Sequence, residues 1–348
     1  MTLAAEIPSN QYKFSLGKQS ALGTPVANPD YQIPVYDADI GPMEERVDLE
    51  LINGQAFLPG KYKPRAWFEG DVTWASHPDS LPRLLAWHFG TSSDTVTGAG
   101  DPRTHTFARK DVLLPHTFWV GRPVAGGTFE YDKGIDTFCT KLDFIYESGQ
   151  LFKIGTHAVG ASVLGNATAP TPTNTIAIPS AGNFGHTWAG ATLKLDLAAT
   201  PSTTTITNLK TFTISCEYPN FVMDNTQNLN PDFYSQGLWS LSFEAEFILQ
   251  NWNAYNHTFY GTASPGANTA QSSSAPSGAL AFTIAQEPAS ANRTVQIDIP
   301  YIQYELARPT PNPDGSGITA TMSGNLSLPA SGEPITPAVK NNTAGSYS

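Results

Sequence analysis

Charged side chains are scarce in this sequence. Asp, Glu, Lys and Arg together make up 14% of the 348 residues, against about 25% in a typical globular protein. Acidic residues outnumber basic ones by 30 to 19, and no run of Lys or Arg occurs. Tight binding to nucleic acid needs clustered cations and is therefore not expected. Large neutral faces suit packing against other protein surfaces.

Long apolar runs and cysteines are also scarce. No stretch approaches the roughly 18 apolar residues of a membrane helix, and the first residues lack the basic start and apolar core of a signal peptide. We therefore expect a protein made in the cytosol that does not insert into membranes. Cys139 and Cys216 each lie in an alternating apolar segment. This placement favours two reduced, buried thiols over a disulfide or a metal site.

Catalytic motifs are missing. The seven histidines are scattered without zinc-ligand spacing, and neither a nucleophile-elbow motif nor a phosphate-binding glycine loop occurs. His88 falls on an apolar stripe, which indicates a structural role. Glu244 and Glu246 would point to the same side of one strand, whereas a glycosidase needs two carboxyl groups facing each other across a cleft. We predict no enzyme activity, no metal and no cofactor.

The two halves of the chain repeat one pattern. Residues 68–90 and 237–261 each form an alternating segment, then a short amphipathic segment with Trp, then a glycine. Another alternating segment follows later in each half, at 138–146 and 295–304. The two glycines are 261 − 90 = 171 residues apart, about half the chain. A repeated β unit without catalytic residues indicates a structural protein.

The predicted fold class is mostly β, with two duplicated β-sandwich or β-barrel domains. Each domain carries one short α-helix, because period-2 alternation dominates and a helical stripe occurs once per half. The predicted domains are 1–160 and 190–348. The segment between them, 161–189, is rich in Pro, Thr and Gly and is predicted to be a semi-extended linker.

Residues 42–64 combine alternating apolar and acidic residues with Asn53-Gly54, a strong hairpin signal. Two interpretations stay open: an ordinary pair of core strands, or a protruding hairpin whose apolar stripe docks onto another subunit. The candidate docking residues are Met43, Val47, Leu49, Leu51, Phe57 and Leu58.

The order of several segments carries a resemblance. In the first half they are SALGTPV, EGDVTWASHPDSLPRLLAWHFG, THTF…HTFWVGRP and GIDTFCTKLDF. In the second half they are ITNLKTFTISCEYP, GLWSLSFEAEFIL and TVQIDIPYIQYEL. In this order, over nearly the whole chain, the sequence resembles the tail tube (major tail) proteins of long-tailed bacteriophages.

The resemblance implies a structural subunit of the virion tail, assembled in the host cytoplasm, with two domains of the tail-tube type. Family members stack as rings around a channel for the tape measure protein and the genome, and those with two fused units form pseudo-sixfold trimers. The implied partners are further copies of the chain, the tape measure protein, the tail terminator and distal tail or baseplate proteins. The genome passes through without specific binding.

Within such a ring, an acidic channel wall would not adhere to DNA, because like charges repel. The candidate lumen-facing residues are Asp71, Glu244, Glu246 and Asp298. The alternative for each of them is the outer surface of the protein.

Two other functions stay open. One is a carbohydrate-binding or adhesin module that uses Trp67, Trp74, Trp119 or Trp239 as sugar platforms, although core packing is the commoner role for Trp in an alternating strand. The other is a glycoside hydrolase that uses one of the carboxylate pairs.

Overall fold

The computed structural model describes residues 12–348 apart from 49–60, 99, 101, 125–126, 179–184, 188–190, 197–203, 207, 225–227, 263, 273–276, 287–289, 306–307, 312–316, 327–331 and 344. The described residues are mostly β-strand with two helices. The predicted mostly-β class is therefore confirmed.

The strands of the first part are β1 (Lys13–Lys18), β2 (Tyr31–Gln32), β3 (Val35–Asp48), β4 (Lys61–Ala75), β5 (Asp94–Thr97), β6 (Arg103–Phe107), β7 (His116–Pro123), β8 (Phe129–Glu147), β9 (Lys153–Ala167) and β10 (Asn174–Thr175). Those of the second part are β11 (Thr192–Asp196), β12 (Thr204–Ile206), β13 (Leu209–Glu217), β14 (Val222–Asp224), β15 (Phe233–Ser235), β16 (Ser240–Ile248), β17 (Ser277–Gln286), β18 (Ser290–Tyr304), β19 (Arg308–Pro311), β20 (Ile318–Leu326) and β21 (Thr336–Asn341). The helices are α1 (Leu81–Phe89) and α2 (Asn253–Tyr260).

Alternation of apolar and polar residues decides which face of each strand is buried. In β16 the side chains of Leu241, Phe243 and Phe247 are buried, while Ser242 and Glu244 between them are exposed. Successive side chains of a strand point to opposite sides, so this pattern produces a sheet with one apolar and one polar face.

One antiparallel sheet runs through both halves of the chain, in the order β3, β4, β9, β8, β13, β16, β20. Its buried face is covered in the second half by β17. The ring of Phe282 on β17 lies 4.8 Å from that of Phe212, 5.7 Å from that of Tyr146 and 5.8 Å from that of Phe152, between centroids. The two layers therefore share one aromatic core.

The first half covers the same buried face with β1 and β7. The Phe118 ring of β7 lies 5.8 Å from Trp74 and 5.7 Å from Phe68 of β4, between centroids. Phe14 of β1 packs beside them, 6.4 Å from Trp74. Rings at these separations gain both burial and edge-to-face attraction.

The same order of strand pairing occurs twice. In the first half (12–167) the pairs are β3–β4, β4–β9, β9–β8, β8–β7 and β7–β1. In the second half (192–326) they are β13–β16, β16–β20, β20–β18, β18–β17 and β17–β11. The first helix follows β4 and the second follows β16, so the helices occupy matching places.

An irregularity in the ladder also recurs. The register between β3 and β4 shifts between Val35 and Asp37, and the register between β13 and β16 shifts between Leu209 and Thr211. A bulge adds one unpaired residue and bends the strand. The two halves thus bend the corresponding strand at the corresponding place.

Hydrogen bonds beside the bulges align the halves residue by residue. Ala75 N–H donates to Pro34 O over 3.1 Å, and Ile248 N–H donates to Asn208 O over 3.0 Å. Ala75 ends β4 and Ile248 ends β16. Ala75 therefore corresponds to Ile248.

Helix α1 is buried on every side, which differs from the single apolar stripe predicted for it. Its polar residues find partners inside the protein: Trp87 Nε1–H donates to Thr137 O over 2.9 Å and Arg83 donates to Tyr347 O over 2.6 Å. The C-terminal residues cover the side that the stripe leaves polar, a contact that no local pattern reveals. Gly90 ends the helix with φ of 100°.

The predicted linker begins too early. Residues 161–167 belong to β9, which pairs with β8 as far as Ala167 opposite Tyr131. The extended conformation that follows is anchored: Thr173 N–H donates to Pro29 O over 3.1 Å and Ile176 N–H to Gln32 O over 2.9 Å. The predicted boundary at 160 thus falls inside a strand.

Among the described residues, strand pairing joins the two halves at two places. β8 pairs with β13, and β21 lies between β6 of the first half and β18. The division into two domains stays a prediction.

Gly324 of β20 leaves space for the aromatic ring of Phe243. A Cβ there would lie 2.4 Å from Cε1 of Phe243 and 2.7 Å from the backbone oxygen of Gln303. We expect Gly324→Ala to lower the free energy of unfolding by about 1–3 kcal/mol, because the backbone oxygen of Gln303 cannot move away from the added methyl group without shifting its strand. Chemical denaturation measures it.

The control is Gly165→Ala, since a Cβ at Gly165 of β9 meets nothing nearer than Asp132 Oδ1 at 3.8 Å. Equal effects of the two substitutions would contradict this account of the core.

Candidate functional site

The polar face of the long sheet continues across both halves of the chain. One row of cross-strand neighbours runs Asp39, Asp71, His157, Lys141, Glu217 across β3, β4, β9, β8 and β13. The row crosses from the first half into the second without a gap in the ladder. We call this surface the polar face, and its members are the outward residues of the strands from β3 to β20.

Glu244 and Glu246 lie on the same polar face. Glu244 of β16 pairs with Thr213 on one side and Ser323 on the other. Because β13 also pairs with β8, the row of Glu244 continues to Ile145. The structure therefore brings three of the four predicted lumen-side residues, Asp71 among them, onto one surface.

Carboxylates dominate the polar face. Its acidic residues include Asp37, Asp39, Glu45, Glu69, Asp71, Asp143, Glu147, Glu217, Glu244, Glu246 and Glu305. Its basic residues, among the described side chains, include Arg65, Lys141, Lys153 and Lys210. The face is net negative, so it repels polyanions that come near it.

Some of these carboxylates are paired. Lys210 Nζ lies 2.8 Å from Glu246 Oε1, and Lys141 Nζ lies 3.1 Å from Asp143 Oδ2. His157 Nδ1 lies 2.9 Å from Asp71 Oδ1. Ion pairs on an open surface contribute little stability, so the fold does not depend on these charges.

A shallow hollow of about 360 Å³ lies on the polar face beside Glu244. Glu305 lines it as well, and Ser323 Oγ–H donates to Glu305 Oε2 over 2.7 Å. Glu305 was not among the predicted residues, because it follows the last residue of β18 and so lies outside the alternating pattern. Glu244 and Glu305 stand on one side of a sheet instead of facing each other across a cleft, in contrast to a glycosidase.

Asp298 is not brought to the polar face. It lies on β18 between Ala281 of β17 and Thr336 of β21, in the covering layer. Gln296 donates to its Oδ2 over 2.6 Å, and burial raises the pKa of its carboxyl. A common wall with Asp71 therefore does not include Asp298.

The long sheet ends in two strands that have one neighbour each among the described residues. β3 pairs with β4 alone at one end, and β19 pairs with β20 alone at the other. Unpaired strand edges offer hydrogen-bonding groups to another chain.

The hairpin of β3 and β4 extends past the core. Val35, Ala38 and Ile40 pack against the core, but Met43 and Val47 are 47% and 45% exposed. The interpretation as core strands therefore applies to one part of the hairpin, and docking of its exposed part onto another subunit stays a prediction. The docking candidates Leu49, Leu51, Phe57 and Leu58 lie outside the described residues.

His88, Cys139 and Cys216 are buried inside the protein. His88 is fully buried; its Nδ1–H donates to Cys139 O over 3.0 Å and its Nε2 accepts from Trp239 Nε1–H over 3.2 Å. Burial lowers the pKa of His88 to about 4, so the ring is neutral. Cys139 and Cys216 are free and buried, and burial raises the pKa of both thiols. Within the described ranges, no group of three His, Cys, Asp or Glu could hold a metal ion.

The tryptophans considered as sugar platforms are buried or hydrogen-bonded within the protein. Trp74 and Trp119 are buried, and Trp239 donates to His88. Trp67 is partly exposed, but its indole N–H donates to Glu69. Stacking on a sugar needs an exposed ring face, which Trp74 and Trp119 lack.

No protein-family model and no curated protein sequence matches the chain. Among the described residues, neither helix is long and apolar enough to cross a membrane.

Because His88 stays neutral in the folded protein, acid should destabilise the fold. The unfolded chain binds the proton near pH 6.5 and the folded one only near pH 4. The stabilisation is therefore complete above that upper pKa and is lost as pH falls, by about 2 kcal/mol near pH 5.

We expect His88→Gln, which keeps a donor and an acceptor but cannot titrate, to lose less stability than the original protein from about pH 7 to about pH 5. Urea unfolding at both pH values measures this. Trp239→Phe is the control, because it removes one partner yet keeps the titrating ring. Equal pH dependence in all three proteins would contradict the assignment.

Proposed function

We propose that this chain is the structural subunit of a bacteriophage tail tube. Three copies form a ring of six similar sheet units, and the rings stack around a channel. The chain has no enzyme activity and no cofactor in this proposal. The motif-poor sequence, its resemblance to tail tube proteins and the repeated order of strand pairing support it.

The observation that carries the proposal is the edge pairing of β8 with β13. It joins one copy of the strand order to the next through seven residue pairs, from Thr211–Glu147 to Glu217–Lys141. A sheet unit that joins its own repeat edge to edge has the geometry to continue in the same way. A unit that repeats by a fixed rotation closes into a ring when the rotation allows it.

The polar face supplies a wall for the channel. Closing the long sheet around an axis puts one face inside, and the acidic one with Asp71, Glu244 and Glu246 would not adhere to DNA. The apolar face is already covered by the second layer. The negative charges would therefore line the channel, where a passing polyanion must not be bound.

The protruding hairpin supports a contact between subunits. In the second half, the segment 218–239 follows β13 and packs onto the first half, where Tyr218 and Met223 join Phe138 of β8 in one apolar cluster. In the first half, the matching part is the outer end of the β3–β4 hairpin, at residues 44–48 and 61–66. We propose that this exposed end of the hairpin also packs onto a neighbouring protomer.

In the virion, the remaining partners are the tape measure protein in the channel and the tail terminator and distal tail or baseplate proteins at the tube ends. Assembly takes place in the host cytoplasm.

Negative-stain electron microscopy of the purified full-length chain tests the proposal. We expect hollow tubes or six-lobed rings. A compact particle that stays monomeric at high concentration would contradict it, and glycan binding by that monomer would favour the carbohydrate-binding module instead.

We expect tubes of Glu244→Lys to bind duplex DNA at low salt, since the change places cations on the channel wall. Co-sedimentation of tubes with a short duplex measures the binding. Asp111→Lys is the matched control: it alters the charge equally on a side chain that is 89% exposed, in the connection from β6 to β7. Equal DNA binding by both variants would show that the polar face does not line the channel.

A further inference from the structure

We propose that β19 of one protomer pairs antiparallel with β3 of the next, in a register that the internal β8–β13 junction defines. The inference rests on the proposed ring. It identifies the strands and the residue pairs that close it.

The end of β8 in the first half corresponds to β19 in the second. Lys153 of β9 pairs with Ile145 of β8. Lys153 also lies opposite Ala75 at the end of β4, and Thr319 of β20 lies opposite the corresponding residue, Ile248, at the end of β16. Thr319 therefore corresponds to Lys153. It pairs with Thr310 of β19. Thr310 therefore occupies the position of Ile145.

The other side of the junction follows in the same way. Ile145 pairs with Thr213 of β13. Thr213 of β13 lies opposite Glu244, and Asp39 of β3 lies opposite Asp71. Thr213 and Asp39 each lie two residues after the first pair that follows the recurring bulge. Asp39 therefore occupies the position of Thr213, and the free edge of β3 corresponds to the edge that β13 presents to β8.

These correspondences set three pairs across the boundary between protomers. The pairs are Thr310 with Asp39, Pro309 with Ile40 and Pro311 with Ala38.

Proline decides which partner the edge of β19 can accept. Pro309 and Pro311 lie opposite Ala320 and Ile318 of β20. A proline has no N–H, so it fits a ladder only where its nitrogen and carbonyl point away from the neighbouring strand. The outer edge of β19 therefore offers carbonyl acceptors at both positions and no donor.

An edge of acceptors cannot pair with a second copy of itself, because each hydrogen bond needs an N–H from the other strand. The edge thus excludes pairing of β19 with β19 and requires a strand that presents donors. This requirement makes the contact one between unlike edges, as a closed ring of more than two subunits needs.

β3 presents the donors. Ala38 N–H bonds Asp37 Oδ1 over 3.0 Å instead of an acceptor on β4. Since backbone groups alternate between the two edges of a strand, Ile40 N–H points to the same outer edge. Ala38 and Ile40 are the residues that the register sets against Pro311 and Pro309.

The side chains match by face as well. Ala38 and Ile40 lie on the apolar side of β3, packed against the core, and the register sets them beside prolines. On the polar face, exposed Thr310 comes beside exposed Asp39. A shift by one residue would set polar residues against apolar ones throughout.

Cross-linking tests the register. In the variant Asp39→Cys with Thr310→Cys, the two Cα atoms are about 4.5–5.5 Å apart across the junction, within the range of a disulfide. We expect oxidation of rings to give covalent dimers and closed trimers on a non-reducing denaturing gel. Native Cys139 and Cys216 are buried and should not interfere.

Asp71→Cys with Thr310→Cys is the matched control. Asp71 lies on the same face one strand further from the junction, about 10 Å away, which is beyond disulfide reach. Ile145→Cys with Thr213→Cys should close within one chain, as the internal template does.

The outcomes separate the two proposals. Rings that cross-link through the Asp39 pair and not through the Asp71 pair support both. Rings that form by microscopy but cross-link through neither pair, or equally through both, overturn this junction and leave the tube function intact. A chain that folds, closes the internal Ile145–Thr213 disulfide and forms no ring overturns both.

Discussion

The pairing of β8 with β13 is the interaction on which the rest of the structure depends. It converts two sheets into one, and so turns an edge that would otherwise face solvent into the interior of a ladder. The aromatic layer around Phe282 can then pack against both halves at once. Without this junction each half would keep two open edges and a smaller core. The proposed ring repeats the same solution between protomers.

The chain has few charged residues, yet its polar face is acidic. The buried face of the long sheet uses apolar and neutral residues, and a group of carboxylates lies together on its polar face. Pairing with lysines neutralises only part of them. A surface of this kind repels polyanions without requiring any specific geometry.

Much of the fold could be predicted from local pattern. Both helices, the single buried face of β16 and the structural role of His88 are confirmed. The linker start was wrong, because the alternation of β9 continues through small residues that resemble a loop in composition. Asp298 alternates as regularly as Glu244, and no local property shows that its strand turns into the covering layer.

The sequence by itself determined that the chain is mostly β, which side of alternating strands such as β16 is apolar, and that each half carries one short helix. These properties depend on neighbours a few positions away, through the period-2 and 3.6-residue repeats. Only the tertiary structure decided that Asp71 and Glu244 share one surface, that the same bulge occurs in both halves, and that β3 and β19 are left at the ends. Alternation specifies a face but not a neighbour, and strand order comes from contacts between residues far apart in the chain.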